Sequence, residues 1–118
     1  MVDCRGVEAG MTAKATARDP LAGANKLERE YAAHLELLAR AGEILAWGYE
    51  QMKLRLADGA FYTPDFIVVA ADEALEIHET KGFMREAARV RIKVAAEMHP
   101  FRFFIVRKEG GRFKKEPV

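Results

Sequence analysis

A single cysteine, Cys4, leaves the chain without an internal disulfide and fits a reducing compartment. Long hydrophobic runs are missing as well. No apolar stretch approaches the length of a membrane span, and the first residues lack the basic-then-apolar pattern of a signal peptide. A cytoplasmic location without a membrane partner is the expectation. His34, His78, His99 and Cys4 have no zinc-ligand spacing. Neither a phosphate-cradling glycine loop nor a Ser/His/Asp arrangement is present, and there are no internal repeats or low-complexity segments.

What is present is the balance of one soluble globular domain: 118 residues, 50% apolar and 31% charged. The formal net charge of +1 conceals an asymmetry. Residues 1–80 hold eight Lys/Arg against fourteen Asp/Glu, a net of −6. Residues 81–118 hold eleven against four, a net of +7. A basic half points to a polyanionic partner, and equally to basic and acidic faces that neutralise each other within one fold or across a dimer.

Residues 1–22 show no sustained period and read as a flexible N-terminal arm. Residues 23–108 read as the folded domain, and 109–118 as a basic C-terminal tail. Asn25 opens a helix as N-cap, with Glu28 three positions on as in a capping box. Leu27, Tyr31, Leu35 and Leu38 recur at helical spacing, and Gly42 is placed to end the helix. From Ile44 to Leu56 the chain reads as extended, interrupted near Gly48, and "ADG" at 57–59 is a hairpin turn signal. Thr63–Ala70 and Leu75–Lys81 are the next strands. Residues 84–98 read as a helix with Ala87, Val90, Val94 and Met98 on its buried stripe, stopped by Pro100 before the strand "FRFFIV". Helix, three meandering strands, helix and strand predict an α/β domain whose mixed central sheet is flanked by helices, because the last helix–strand unit makes a crossover.

Ionised residues sit inside the two most strand-like segments. Alternation puts Glu79 and Lys81 on one face, and Asp65 with Ile67 and Val69. If these strands pair across "ADEA", Asp65 and Glu79 meet near the open end of the sheet. Two adjacent carboxylates repel and need a cation or a shared proton. A hard divalent ion with oxygen ligands, Mg²⁺ or Mn²⁺, resolves the conflict, and Lys81 beside it could orient a water or stabilise charge on a phosphate. Taken singly, each fragment reads as a turn cap or a surface pair on an edge strand.

"PD" at 64–65 followed by "ETK" at 79–81 resembles the motif of the PD-(D/E)xK nuclease superfamily. The superfamily's restriction-endonuclease-like core is commonly helix, three meandering strands, helix and strand. The segments "NKLEREYAAHLELLARAGEI", "YTPDF", "HETKG" and "ARVRIKVAAEMHPFRFFIV" resemble small phage-encoded members, some related to endonuclease I-type Holliday junction resolvases. The resemblance implies a Mg²⁺- or Mn²⁺-dependent DNA endonuclease, working as a homodimer on branched DNA, in the host cytoplasm if phage-encoded. Asp65 and Glu79 would ligate the metal, the backbone carbonyl of Thr80 would add a ligand, and Lys81 would assist at the attacking water. The superfamily often adds a glutamate from the first helix, which would be Glu28. The capping-box role remains open for that residue, and Glu30 is the substitute. Glu50 and Gln51 stand where relatives often carry a polar residue near the site, although exposed positions at a strand entry account for both.

In the second helix Arg85, Arg89 and Lys93 form a basic stripe at i, i+4 spacing, with Arg91 off it. Beside a nuclease motif these are candidates for phosphate contact. Lys114, Lys115 and the other cations of the tail would widen the electrostatic footprint. His78 alternates away from Glu79 and is expected to pack on the opposite sheet face. Trp47 and the aromatics of "FRFF" read as core or as a dimer surface. Two rivals stay open: a non-catalytic DNA-binding or regulatory protein on the same fold, and a nicking or end-processing nuclease without junction preference.

Overall fold

The structure, a computed structural model, describes residues 19–82 and 84–118. Most of the expected arm, residues 1–18, lies outside the described residues; 19–22 belong to a turn in which Asp19 is salt-bridged to Arg29 at 3.0 Å.

Helix α1 (Lys26–Arg40) begins with a complete capping box: Asn25 Oδ1 accepts from the Glu28 N–H at 2.8 Å, and Glu28 Oε1 accepts from the Asn25 N–H at 2.9 Å. It ends where Gly42 takes φ +79°, with Glu43 N–H reaching Leu38 O and Gly42 N–H reaching Ala39 O. This pair of bonds satisfies the last carbonyls and turns the chain into the sheet. Seven strands follow in order: β1 (Ile44–Tyr49), β2 (Leu54–Ala57), β3 (Ala60–Tyr62), β4 (Phe66–Ala70), β5 (Leu75–Thr80), then after helix α2 (Glu86–Met98), β6 (Arg102–Glu109) and β7 (Arg112–Pro117).

The fold is mixed α/β with a five-stranded central sheet ordered β1-β4-β5-β6-β7. β1, β4 and β5 pair antiparallel as a meander, and the α2 crossover brings β6 parallel to β5, with Glu79 opposite Ile105. Each sheet face carries one helix. Tyr31, Ala32 and Leu35 of α1 pack with Phe66, Val68 and Val106 on one face. On the other, Ile92 and Ala95 of α2 pack with Ile77, Phe103 and Ile105. Phe103 and its neighbours are thus core, and Trp47 rests against Phe66 while donating to Glu36 at 3.0 Å.

Three expectations need correction. The extended stretch from 44 to 56 is interrupted as expected, at residues 50–53, but its second part leaves the central sheet. Glu50, at φ +49°, turns the chain out of the sheet, so that β2 and β3 form a separate hairpin closed at Gly59 (φ +76°). The basic tail is largely an ordered edge strand, β7, paired with β6 from Glu109↔Arg112 to Phe104↔Pro117. The buried stripe of α2 is also not the expected one. Val90, Val94 and Met98 are 49%, 38% and 50% exposed, Ala87 is exposed, and Ile92 with Ala95 faces the core. Residues 88, 92, 95 and 96 have helical spacing as good as 87, 90, 94 and 98. The small side chains at 88, 95 and 96 let α2 lie close to the β2–β3 hairpin while Ile92 and Ala95 meet Ile77, Phe103 and Ile105 of the sheet, and that packing decides the rotation.

Candidate active site

Pro64 explains how the site begins. The register pairing Phe66 with His78 puts Pro64 opposite Thr80, and proline has no N–H with which to continue the ladder. The Asp65 side chain takes over: its Oδ2 accepts from both the Thr80 N–H and the Thr80 hydroxyl, each at 3.0 Å. In return the Asp65 N–H donates to Glu79 Oε1 at 3.1 Å. Tyr62 of the hairpin donates its hydroxyl to the same oxygen at 2.7 Å. Glu79 Oε1 thus has two donors, while Oε2 lies 3.5 Å from Lys81 Nζ. Among the described residues no hydrogen bond reaches Asp65 Oδ1.

Glu28 joins from α1. Its Oε1 serves the capping box and also accepts from the Tyr49 hydroxyl at 3.0 Å, so the capping-box role is realised, and the charge of this carboxylate acts on Asp65. Burial comes first, and the negative charges of Glu79 and Glu28 next, in pushing the Asp65 carboxyl up to about 7, against the Thr80 hydrogen bonds that lower it. Tyr62 and Tyr49 are likewise pushed upward, by burial first and by the carboxylates they touch, so both remain neutral donors. Three elements therefore deliver Asp65, Glu79 and Glu28, all nearly buried, to one end of the sheet, with Lys81 at its edge.

The donor set is all oxygen and carries excess negative charge, which suits a hard divalent cation. Among the described residues, however, no three His, Cys, Asp or Glu side chains converge closely enough to hold an ion by themselves. Mg²⁺ keeps several waters and binds through one or two carboxylates, so it needs no cage of three. Asp65 and Glu79 would be those carboxylates, with Glu28 within electrostatic reach of Asp65.

The basic candidates divide. A cavity of about 430 Å³ opens beside the carboxylates, lined among others by Phe61, Tyr62, Asp65, Glu79, Lys81 and Arg91. A second, of about 360 Å³, joins Lys81 to Arg85 and Arg91. Arg91, set aside in the sequence because it falls off the i, i+4 stripe, is the α2 cation that lines both. Arg89 and Lys93 line neither. The same rotation of α2 that buries Ile92 sets its neighbour Arg91, itself exposed, at the rim of both cavities. Lys115 is committed elsewhere, 3.5 Å from Glu76 and 4.5 Å above the Phe104 ring, and Lys114 lies on the same strand, two strands from β5. Glu50 and Gln51 are exposed. Glu50 donates its N–H to Asp65 O at 2.8 Å, and the Gln51 chain crosses Gly48, where a Cβ would stand 2.6 Å from its Cγ. Glu50 thus holds the backbone at Asp65, and neither residue lines the cavity.

Tyr62 and Tyr49 were missed in the sequence, because a tyrosine's hydroxyl partner depends on tertiary packing. His78 lies on the opposite face as expected, 3% exposed. Its Nε2 is 2.9 Å from Glu76 and its Nδ1 2.6 Å from the Tyr31 hydroxyl. With Glu76 ionised, Nε2–H donates to Glu76 and Tyr31 donates to Nδ1.

No family model matches the chain, and no curated protein or solved structure matches it. Among the described residues no helix is long and apolar enough to cross a membrane.

Proposed function

We propose that the protein is a Mg²⁺- or Mn²⁺-dependent DNA endonuclease, with a restriction-endonuclease-like core. The observation that carries the reading is the gathering of Glu28, Asp65 and Glu79 from three elements around an Asp65 carboxyl raised to about 7, with Lys81 3.5 Å from Glu79. Without a cation the cluster relieves its repulsion by holding a proton on Asp65 and by the Lys81–Glu79 pair, whereas a bound cation would leave both carboxylates ionised. A divalent ion at this place would act as a Lewis acid and make water a nucleophile at neutral pH. Asp65 and Glu79 would hold it, together with the Thr80 backbone carbonyl, while Thr80's N–H and hydroxyl keep Asp65 oriented. Tyr62 fixes Glu79. Lys81 would orient the attacking water or meet charge developing on the phosphate. A homodimer on branched DNA follows by analogy, since resolving a junction takes two cuts and one domain carries one site.

A non-catalytic DNA-binding protein on the same fold is the second reading, favoured by the cavity that joins Lys81 to Arg85 and Arg91, cations that can hold phosphate without turnover. The deciding experiment measures cleavage of matched four-way-junction, linear duplex and single-stranded DNA with Mg²⁺ or Mn²⁺, by wild type and Glu79→Gln. Metal-dependent cutting lost in the variant supports the nuclease, and the substrate ranking separates a resolvase from a nicking or end-processing enzyme. Equal DNA binding by both proteins without cutting selects the second reading.

A further inference from the structure

The cavity beside the carboxylates has walls of three kinds. Asp65 and Glu79 form the acidic one, Lys81 and Arg91 the basic one, and Phe61 an aromatic rim. Phe61 is 45% exposed although it is a large apolar side chain, and Lys53 Nζ stands 4.8 Å from its ring centroid. Its position is not left to a loose loop. The next residue, Tyr62, is buried, packs in the core with Ile92 and donates to Glu79 at 2.7 Å. The ring is thereby tethered one residue from a carboxylate of the site. Arg91 has no ion-pair partner among the described residues, so its guanidinium is free for an anion from outside.

We propose that this cavity is a one-nucleotide pocket: Lys81 and Arg91 take the phosphate, and Phe61 stacks on a base that is out of the duplex stack. The inference rests on the nuclease reading and narrows its substrate class to strands with an unstacked base at the cut, as at a branch, a bulge or a single-stranded end. An intact duplex presents phosphates to the cations but no base face to the ring. At about 430 Å³ the volume lies in the ordinary range for a small-ligand pocket, roughly 300–1,000 Å³.

Binding tests this without needing turnover. Fluorescence anisotropy would compare oligothymidylate with an abasic strand of equal length, in Ca²⁺ as a hard, oxygen-seeking stand-in, for wild type, Phe61→Ala, Phe61→Trp and Arg91→Ala. Phe61→Ala is expected to lose roughly ten-fold or more on oligothymidylate, as a lost base–aromatic stack does, and to bind the abasic strand like wild type. Phe61→Trp retains the affinity. Arg91→Ala weakens both strands alike and lowers the salt dependence by about one phosphate contact. If Phe61→Ala binds both strands as wild type does, the stacking pocket is wrong while the nuclease reading survives. If wild type binds neither strand nor any junction, both fall.

Discussion

Asp65 and Glu79 hold one another through the backbone: the Asp65 N–H donates to Glu79 Oε1 at 3.1 Å, beside the Tyr62 hydroxyl at 2.7 Å. The acceptor oxygen of Glu79 is thus saturated from behind, and its second oxygen is left facing Lys81. Such an arrangement preorganises two like charges that the isolated chain would keep apart. Preorganisation of this kind costs stability when no cation is bound.

Asp65→Asn is therefore expected to stabilise the cation-free protein. The wild-type carboxyl titrates near 7 when folded and near its ordinary acidic value when unfolded. Between those two values the folded state holds the extra proton, so stability falls as pH rises through the window. The amide keeps an acceptor for Thr80 and carries no charge. At pH 8, thermal melts in EDTA should place the variant about 1–2 kcal/mol above wild type, with the gap closing at pH 4. A variant less stable at pH 8 would mean that the crowding does not strain the fold.

Tyr62→Phe removes one of two donors from Glu79 while retaining the ring in the core. Loss of an outer hydrogen bond to a ligand typically weakens a metal site by about 10–100-fold. The Mn²⁺ concentration giving half-maximal cleavage should rise by such a factor, with maximal rate less affected. An unchanged Mn²⁺ dependence would show that the hydroxyl does not orient Glu79.

On the opposite face His78 is buried and held neutral, its pKa lowered chiefly by burial against the raising effect of Glu76. The unfolded chain then takes up a proton that the folded one resists. Stability attributable to His78 is present above its ordinary pKa, near 6.5, and is lost as pH falls below it. Tyr31→Phe leaves Nδ1 without its donor and should cost about 1–3 kcal/mol at pH 7. Denaturant titrations would detect this, with DNA cleavage rates per folded molecule unchanged.

The rotation of α2 is directly measurable. Ile92→Ala empties a site that is 1% exposed and should cost about 2–4 kcal/mol. Val90→Ser and Val94→Ser, at surface positions, should stay within about 0.5 kcal/mol. The reverse ranking would restore the stripe expected from spacing alone.

Local chemistry made much of the architecture legible. Asn25 with Glu28 marks the start of α1, Gly42 its end and Asp58-Gly59 the hairpin turn, because caps and turns are satisfied within a few residues. The alternation that puts Glu79 and His78 on opposite faces follows from the two-residue period of a strand. The motif residues of the candidate site could be named for the same reason: "PD" leads directly into β4 and "ETK" ends β5 and follows it, and the register of these two strands follows from the turn between them.

What the chain alone left undecided depends on contacts distant in sequence. Two apolar stripes compete on α2, and only its packing against Leu54, Tyr62 and Ile77 selects the one through Ile92, which sends Arg91 rather than Arg89 to the cavity. The turn at Glu50, the pairing of β7 along β6, and the hydroxyls of Tyr49 and Tyr62 on Glu28 and Glu79 belong to the same class. Residue order determines which groups are available and which face of a strand each takes. The three-dimensional arrangement decides which buried charges meet, because only there does desolvation make their proximity count.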